Sequence, residues 1–359
     1  MVVSMAVQWK GLILILLLSV YCHIARAEDS NLDSSIAHRL VTHVYQPLHA
    51  EFAETSARWA TGTIGLCQRP PASSVYKLQV GFMQLVQAFG AVELFRIGPL
   101  LEDNLQHRLF FWPDKRAIGE RQLRVLVASL DKKPVTAQQL AEKSVAVQGF
   151  TALERLLFTP GYLPVELAPQ CHLLPVVMEN IAEMAEQLDN GWQSTSEFAQ
   201  LFLSPQADST YFRSTEEVAR SVFTQIKVGL DIVIDGKLRP LLSGDKTTVK
   251  DAPLWISQRT VAMLTGNIHG LEGLLFESGL LDDTEVAAQL GVEFEYINHV
   301  LRQLKPVVRF KGDDDKLRPE VRVLMNKLAA VIAGVRHTVN NDVADQLGLS
   351  AGFNSEDGD

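Results

Sequence analysis

Apolar residues recur at helical spacing along almost the whole chain. Ile36, Leu40, Val44, Leu48 and Phe52 fall every four residues, which places one apolar stripe on a helix spanning about 32–60. Pro47 lies inside that helix and is expected to kink it. The same period predicts helices over 75–97, 116–130, 137–158 and 173–191. Gly98-Pro99, Lys133-Pro134 and a Pro/Gly cluster at 160–169 punctuate them. A second set follows over 215–238, 254–277, 283–305 and 319–346, separated by Pro240, Pro253, Pro306 and Pro319. Ser214 with Glu217, and Asp282 with Glu285, have the spacing of capping boxes at two helix starts. Strictly alternating β-branched runs are almost absent. The pattern therefore specifies an all-α protein built of helical bundles.

The helices divide near 192–213, where W-Q-S-T-S and L-S-P-Q-A-D-S-T interrupt the periodicity around a short helix at 197–203. This predicts an N-terminal bundle over 28–191, a connection over 192–213 and a C-terminal bundle over 214–359. Residues 150–158 (FTALERLLF) and 268–276 (IHGLEGLLF) match at five positions. Such a match is weak in Leu-rich helices, and gains meaning if the two bundles are duplicates.

The N-terminus changes the composition. Residues 11–20 form an apolar run behind Lys10, too short for the roughly 20 residues of a membrane span. Ala25-Arg26-Ala27 follows as a small-x-small cleavage site, so 1–27 reads as a secretory signal. Its removal takes two cations and no acid from a chain of net charge −9, leaving −11. It also removes Cys22, leaving Cys67 and Cys171 as one bridge or two separate thiols. No second run is long enough to span a bilayer, so a periplasmic or external location is expected. An acidic chain lacks the basic surface that nucleic-acid binding needs. With 47% hydrophobic residues it is neither disordered nor a disulfide-dense miniprotein.

The chemistry is sparse. His269 and Glu272 stand at i and i+3, one helix face, where imidazole and carboxylate can ligate one metal or simply bond to each other. There is no H-E-x-x-H, no G-x-S-x-G elbow and no phosphate-binding loop. Asp313-Asp314-Asp315 lacks the alternating ligands of a calcium loop. His38, His43 and His49 do not share a helix face.

Several segments together resemble the imelysin family. They are Phe111-Trp112-Pro113-Asp114 after the Gly98-Pro99 turn, and Gly149-Phe-Thr151-Ala-Leu-Glu154, like the family's G-x-H-x-x-E. Then come Cys171 opening a long helix with Cys67 upstream, Lys237-Leu-Arg-Pro-Leu-Leu-Ser-Gly244 with Trp255-Ile-Ser257, and the C-terminus around Asn354. They span nearly the whole mature chain in the family's order.

The resemblance implies two helical bundles related by duplication, with a site between them near the G-x-H-x-x-E helix. Trp112, Asp114, Trp255, Ser257 and Asn354 are then interface candidates. The family carries both a metallopeptidase label and a link to iron supply. This chain departs from the motif at its histidine, which is Thr151. Threonine cannot act as a neutral nitrogen ligand, though it can hydrogen-bond Glu154 or the backbone. A compensating metal site of Glu154, His269 and Glu272 is one expectation, with iron or another divalent metal. Loss of the metal altogether is the other. The function expected first is a periplasmic binding or accessory protein of iron or haem uptake, partnered with an envelope uptake component. A metallopeptidase, with Glu154 or Glu272 as its base, and a metal-free envelope scaffold are the alternatives.

Overall fold

The computed structural model describes residues 31–68, 74–130, 135–159, 169–244, 247–281, 285–305, 312 and 315–346. The signal segment 1–27, the Asp282 capping box and Asn354 lie outside them, as do the side chains of Cys67 and Cys171.

Every long predicted helix forms, and no sheet forms among the described residues. Helix α1 runs as Asn31–Leu40, a π-helical stretch Val41–Tyr45, and Gln46–Gln68; α2 is Ser74–Val92. Short α3 (Leu105–Leu109), α4 (Ile118–Ser129) and α5 (Ala137–Ala141) lead to α6 (Phe150–Phe158) and the long α7 (Pro169–Trp192). After α8 (Glu197–Leu203), α9 comprises Thr215–Asp231, a π stretch Ile232–Leu238 and Arg239–Leu242. Helix α10 joins Thr260–Glu272 to a π stretch Gly273–Glu277, and α11 is Glu285–Leu304. Helix α12 joins Pro319–Thr338 to a π stretch Val339–Val343 and Ala344–Gln346.

Several predictions change in detail. The helix expected over 75–97 ends at Val92. The single helix expected over 137–158 is broken, because Ser144 caps a separate turn through Ala146 N–H and Gly149 begins α6 in a non-helical conformation. The helix expected from 254 starts at Thr260, after an irregular loop. Neither Pro47 nor Pro240 ends its helix. The residue four before each, His43 and Gly236, lies in a π stretch, and the wider turn makes room for a ring that lacks an N–H. The N–H of the residue before each proline reaches back five residues, Gln46 to Val41 and Arg239 to Ile234.

Packing is dominated by three helix pairs: α1 on α7, α2 on α10, and α11 on α12. The α2/α10 contact is close because it is made of small residues. A Cβ at Gly266 would stand 2.2 Å from the Gln87 carbonyl oxygen, and one at Gly270 2.2 Å from that of Ala91. The first segment of α1 leaves its neighbours in sequence and packs on α9 and on the π stretch of α10. One continuous apolar core results. The connection at 192–213 belongs to it: Trp192, Phe198, Phe202 and Phe212 are buried, and Trp192 stacks on Tyr45 at 3.8 Å. Burying such large rings is a major driving term for the fold.

Inside this apolar core sits one charged pair. Lys237 of α9 bonds Glu93, just past α2, and bonds Asn267 of α10 at 2.6 Å. Asn267 in turn donates to Gly90 O at 2.8 Å and to Glu93 at 2.9 Å. All three side chains are buried. The network joins three helices by mutually satisfied polar contacts.

Candidate functional site: the cleft beside the motif helix

Helix α6 carries the motif, and its start explains the glycine. A Cβ at Gly149 would lie 2.1 Å from Leu109 O and 2.3 Å from Arg108 O, so no larger residue fits without moving backbone. The helix buries Phe150, Leu153, Leu156 and Leu157 in the core. Phe150 stacks on Phe89 with centroids 4.5 Å apart. Thr151 and Glu154, one turn apart, are left beside a cleft of about 1040 Å³.

The loop before α10 closes over Glu154. Its backbone is held in the left-handed region at Leu254 (φ 52) and Gln258 (φ 59), an uncommon conformation for residues with side chains. Thr260 Oγ1 anchors it by donating to Pro253 O at 2.7 Å. The loop thereby aims Ser257 at the carboxylate: its N–H donates to Glu154 Oε1 at 2.9 Å and its hydroxyl at 2.7 Å. Burial nevertheless dominates, and pushes the Glu154 carboxyl up to about 7 against the pull of Ser257 and Arg155. Near neutrality this group can accept or donate a proton.

Asp114 organises the adjoining wall. Its two oxygens accept from Ile118 N at 2.7 Å and Gly119 N at 2.9 Å, capping the start of α4. One of them also pairs with Arg155 at 3.4 Å. Trp112 lies parallel to Phe110, with centroids 6.1 Å apart. Across the cleft, the π stretch of α9 contributes Asp235 and Gly236, followed by Pro240, Ser243 and Gly244. Trp255 completes that side, with the Lys250 ammonium 5.8 Å from its ring. Three segments far apart in sequence, F-W-P-D, G-F-T-A-L-E and K-L-R-P-L-L-S-G with W-I-S, thus converge on one cavity.

Of the candidate residues, Trp112, Asp114, Thr151, Glu154 and Trp255 line the cleft, and Ser257 bonds Glu154. Thr151 does not bond as expected. Its hydroxyl is buried and makes no hydrogen bond, because Glu154 is turned toward Ser257.

The expected metal set is not assembled. Glu272 lines a different groove of about 750 Å³, beside α11. There it accepts from Asn298 at 2.5 Å, while His269 is exposed. Among the described residues no three His, Cys, Asp or Glu side chains come close enough to hold a metal. Glu154, His269 and Glu272 thus do not form one metal site, and no other set of described residues does.

Sequence reading missed Lys115, Arg155 and Lys250 in the cleft, and the buried Lys237–Glu93–Asn267 network. Arg155 was hidden because its partner Asp114 is 41 residues away. Lys237 carried no signal of burial beyond its place in the quoted K-L-R-P stretch.

Comparison with known proteins places this geometry. The imelysin family model matches residues 45–351. A crystal structure of an imelysin-like protein from Psychrobacter arcticum 273-4 superposes with a TM-score of 0.72 at 18% identity, covering 90% of this chain and 97% of that one. A precursor assigned to the iron-regulated protein A type, from Parabacteroides distasonis ATCC 8503, superposes with a TM-score of 0.68 at 12% identity, covering 89% and 97%. No curated protein matches the sequence. At these identities the two structures speak for the fold, and the family model spans most of the chain: the protein belongs to the imelysin family.

Proposed function

We propose that this protein is an exported binding or accessory protein of iron or haem uptake that uses the cleft beside α6. The observation that carries this reading is the composition of the cleft. It gathers aromatic faces, a buried carboxyl and a guanidinium, and among the described residues no three His, Cys, Asp or Glu side chains stand close enough together to hold a metal. Such a lining suits recognition of a whole ligand, with a few polar groups fixing its orientation. It supplies no frame for a metal-bound water, so the peptidase reading has less support. The iron connection rests on family membership and on the iron-regulated name of one structural neighbour. Export rests on the apolar run at 11–20 and the Ala25-Arg26-Ala27 site. No helix among the described residues is long and apolar enough to cross a membrane.

The test is deletion of the gene followed by growth on iron-limited medium with ferric salts or haem as sole source, alongside peptide hydrolysis by the purified protein with and without chelator. A growth defect that is rescued by excess iron, without chelator-sensitive hydrolysis, is the expected result. Chelator-sensitive cleavage would instead establish the peptidase, and unchanged growth would remove the uptake role.

A further inference from the structure

The lining of the cleft holds more acids than bases, but the charged groups with hydrogen-bonding capacity to spare are donors. Each carboxylate already has a partner. Asp114 takes two backbone N–H groups and Arg155. Glu154 takes Ser257 twice, and Glu120 pairs with Arg124 at 2.6 Å. Asp235 pairs with Arg336 at 2.9 Å and Arg239 at 3.1 Å. Asp251 accepts from Thr248 N at 2.9 Å.

The cations differ. Lys250 is paired with Asp315 at 3.1 Å. Arg155 gives a single N–H to Asp114, at the long distance of 3.4 Å, and leaves the rest of its fork uncommitted. Lys115, exposed and next in sequence to Asp114, makes no hydrogen bond or ion pair. Beside them the buried hydroxyl of Thr151 also lacks a partner. Trp112 and Trp255 add half-buried aromatic faces to the same cavity. A planar fork with spare donors matches a carboxylate, and indole faces match a flat apolar body.

We propose that the cleft binds an organic carboxylate with a flat apolar body, whose charge is held by Arg155 and Lys115 and whose body lies against Trp112 and Trp255. This rests on reading the cleft as the ligand site. It assigns the chemistry of the ligand, which need bring no coordination from the protein.

Calorimetric titration of the purified protein with 2-naphthoate, its neutral alcohol analogue 2-naphthylmethanol and 2-naphthyl phosphate tests it. The carboxylate is expected to bind at least about tenfold tighter than the alcohol, by the strength of charge-assisted hydrogen bonds. Lys115→Glu, at an exposed position, is expected to weaken the carboxylate about tenfold or more through like-charge repulsion and to leave the alcohol unchanged. Arg155→Lys, which keeps the charge and removes the fork, is expected to weaken the carboxylate as well. An alcohol that binds as tightly as the carboxylate overturns the assignment of charge while leaving the cleft as a ligand site. Tighter binding of the phosphate overturns the choice of carboxylate. Absence of heat with all three probes overturns both the assignment and the ligand site.

Discussion

Ser257 and Glu154, 103 residues apart, meet at a single oxygen: the N–H and the hydroxyl of the serine both donate to Glu154 Oε1. The same hydroxyl lies 3.1 Å from Leu254 O. It has one proton, so it can serve only one acceptor at a time. An ionised Glu154 claims it. A protonated Glu154 can donate to the hydroxyl and release its proton to Leu254 O. The bond thus changes direction with the charge of the carboxyl, without any movement of backbone.

Ser257→Ala should therefore cost more at pH 8 than at pH 5. At pH 8 it strips a donor from a buried carboxylate, a loss of about 1–3 kcal/mol. At pH 5 the carboxyl is protonated and the donor matters less. Urea denaturation at both pH values reads the difference, and equal losses would refute it.

Glu154→Gln should gain on the wild type as pH rises. Burial raises the folded carboxyl from 4.5 to about 7, so the folded state binds the proton more tightly. The Glu154 contribution to wild-type stability then falls between pH 4.5 and 7, by about 3 kcal/mol at most. Glutamine removes that loss while keeping an oxygen for Ser257. Melting temperatures of the two proteins across this range should diverge steadily; a constant offset would sink the explanation.

His49 should act in the opposite sense. It is buried against Phe95 and Trp192, and its Nδ1 lies 2.6 Å from Tyr45 O. Desolvation lowers its ring from 6.5 to about 4, so the unfolded chain takes up the proton first. Its contribution is intact above pH 6.5 and is lost as pH falls toward 4, on the order of 3 kcal/mol. Because Glu154 contributes with the opposite sign over nearly the same window, the two effects should partly offset each other between pH 4.5 and 6.5. His49→Leu should expose the Glu154 slope as a rise in stability on acidification. A flat profile in that variant would show the reading to be wrong.

Lys237→Met should destabilise by about 3–5 kcal/mol, because it leaves Glu93 as an uncompensated charge in the core. Adding Glu93→Gln should recover much of the loss by removing that charge while preserving an acceptor for Asn267. A double-mutant cycle followed by chemical denaturation measures the coupling. Simple additivity would mean that the two groups are not energetically joined.

The periodicity of apolar residues was enough for the helices, because burial of one face is what stabilises them. It located Glu197–Leu203 to the residue and the starts at Thr215 and Pro319. It overran where a local bond outcompeted the pattern: Ser144 and Gly149 interrupt an apolar run that would otherwise read as one helix. The cleft was only partly visible. Trp112, Asp114, Glu154, Trp255 and Ser257 could be picked out from family-like segments. The neighbours that set their charge, Arg155 and Lys250, could not, since pairing across 41 or more residues leaves no spacing to detect. The joining of Glu154 to His269 and Glu272 failed for the same reason. Similar motifs on two helices say nothing about whether those helices turn toward each other.

The π stretch in α1 gives the apolar spacing of that helix a further meaning. In an ideal α-helix, residues four apart advance about 40° around the axis per step. Five of them would therefore wander through about 160° and could not all face one side. Yet Ile36, Leu40, Val44, Leu48 and Phe52 are all buried, with the wide turn Val41–Tyr45 in their midst. Slower rotation there offsets part of the drift and holds the stripe against the core on both sides of Pro47. A seam spaced at four rather than alternating three and four is thus the imprint of an underwound segment, written in the order of the leucines and valines before any coordinate is known.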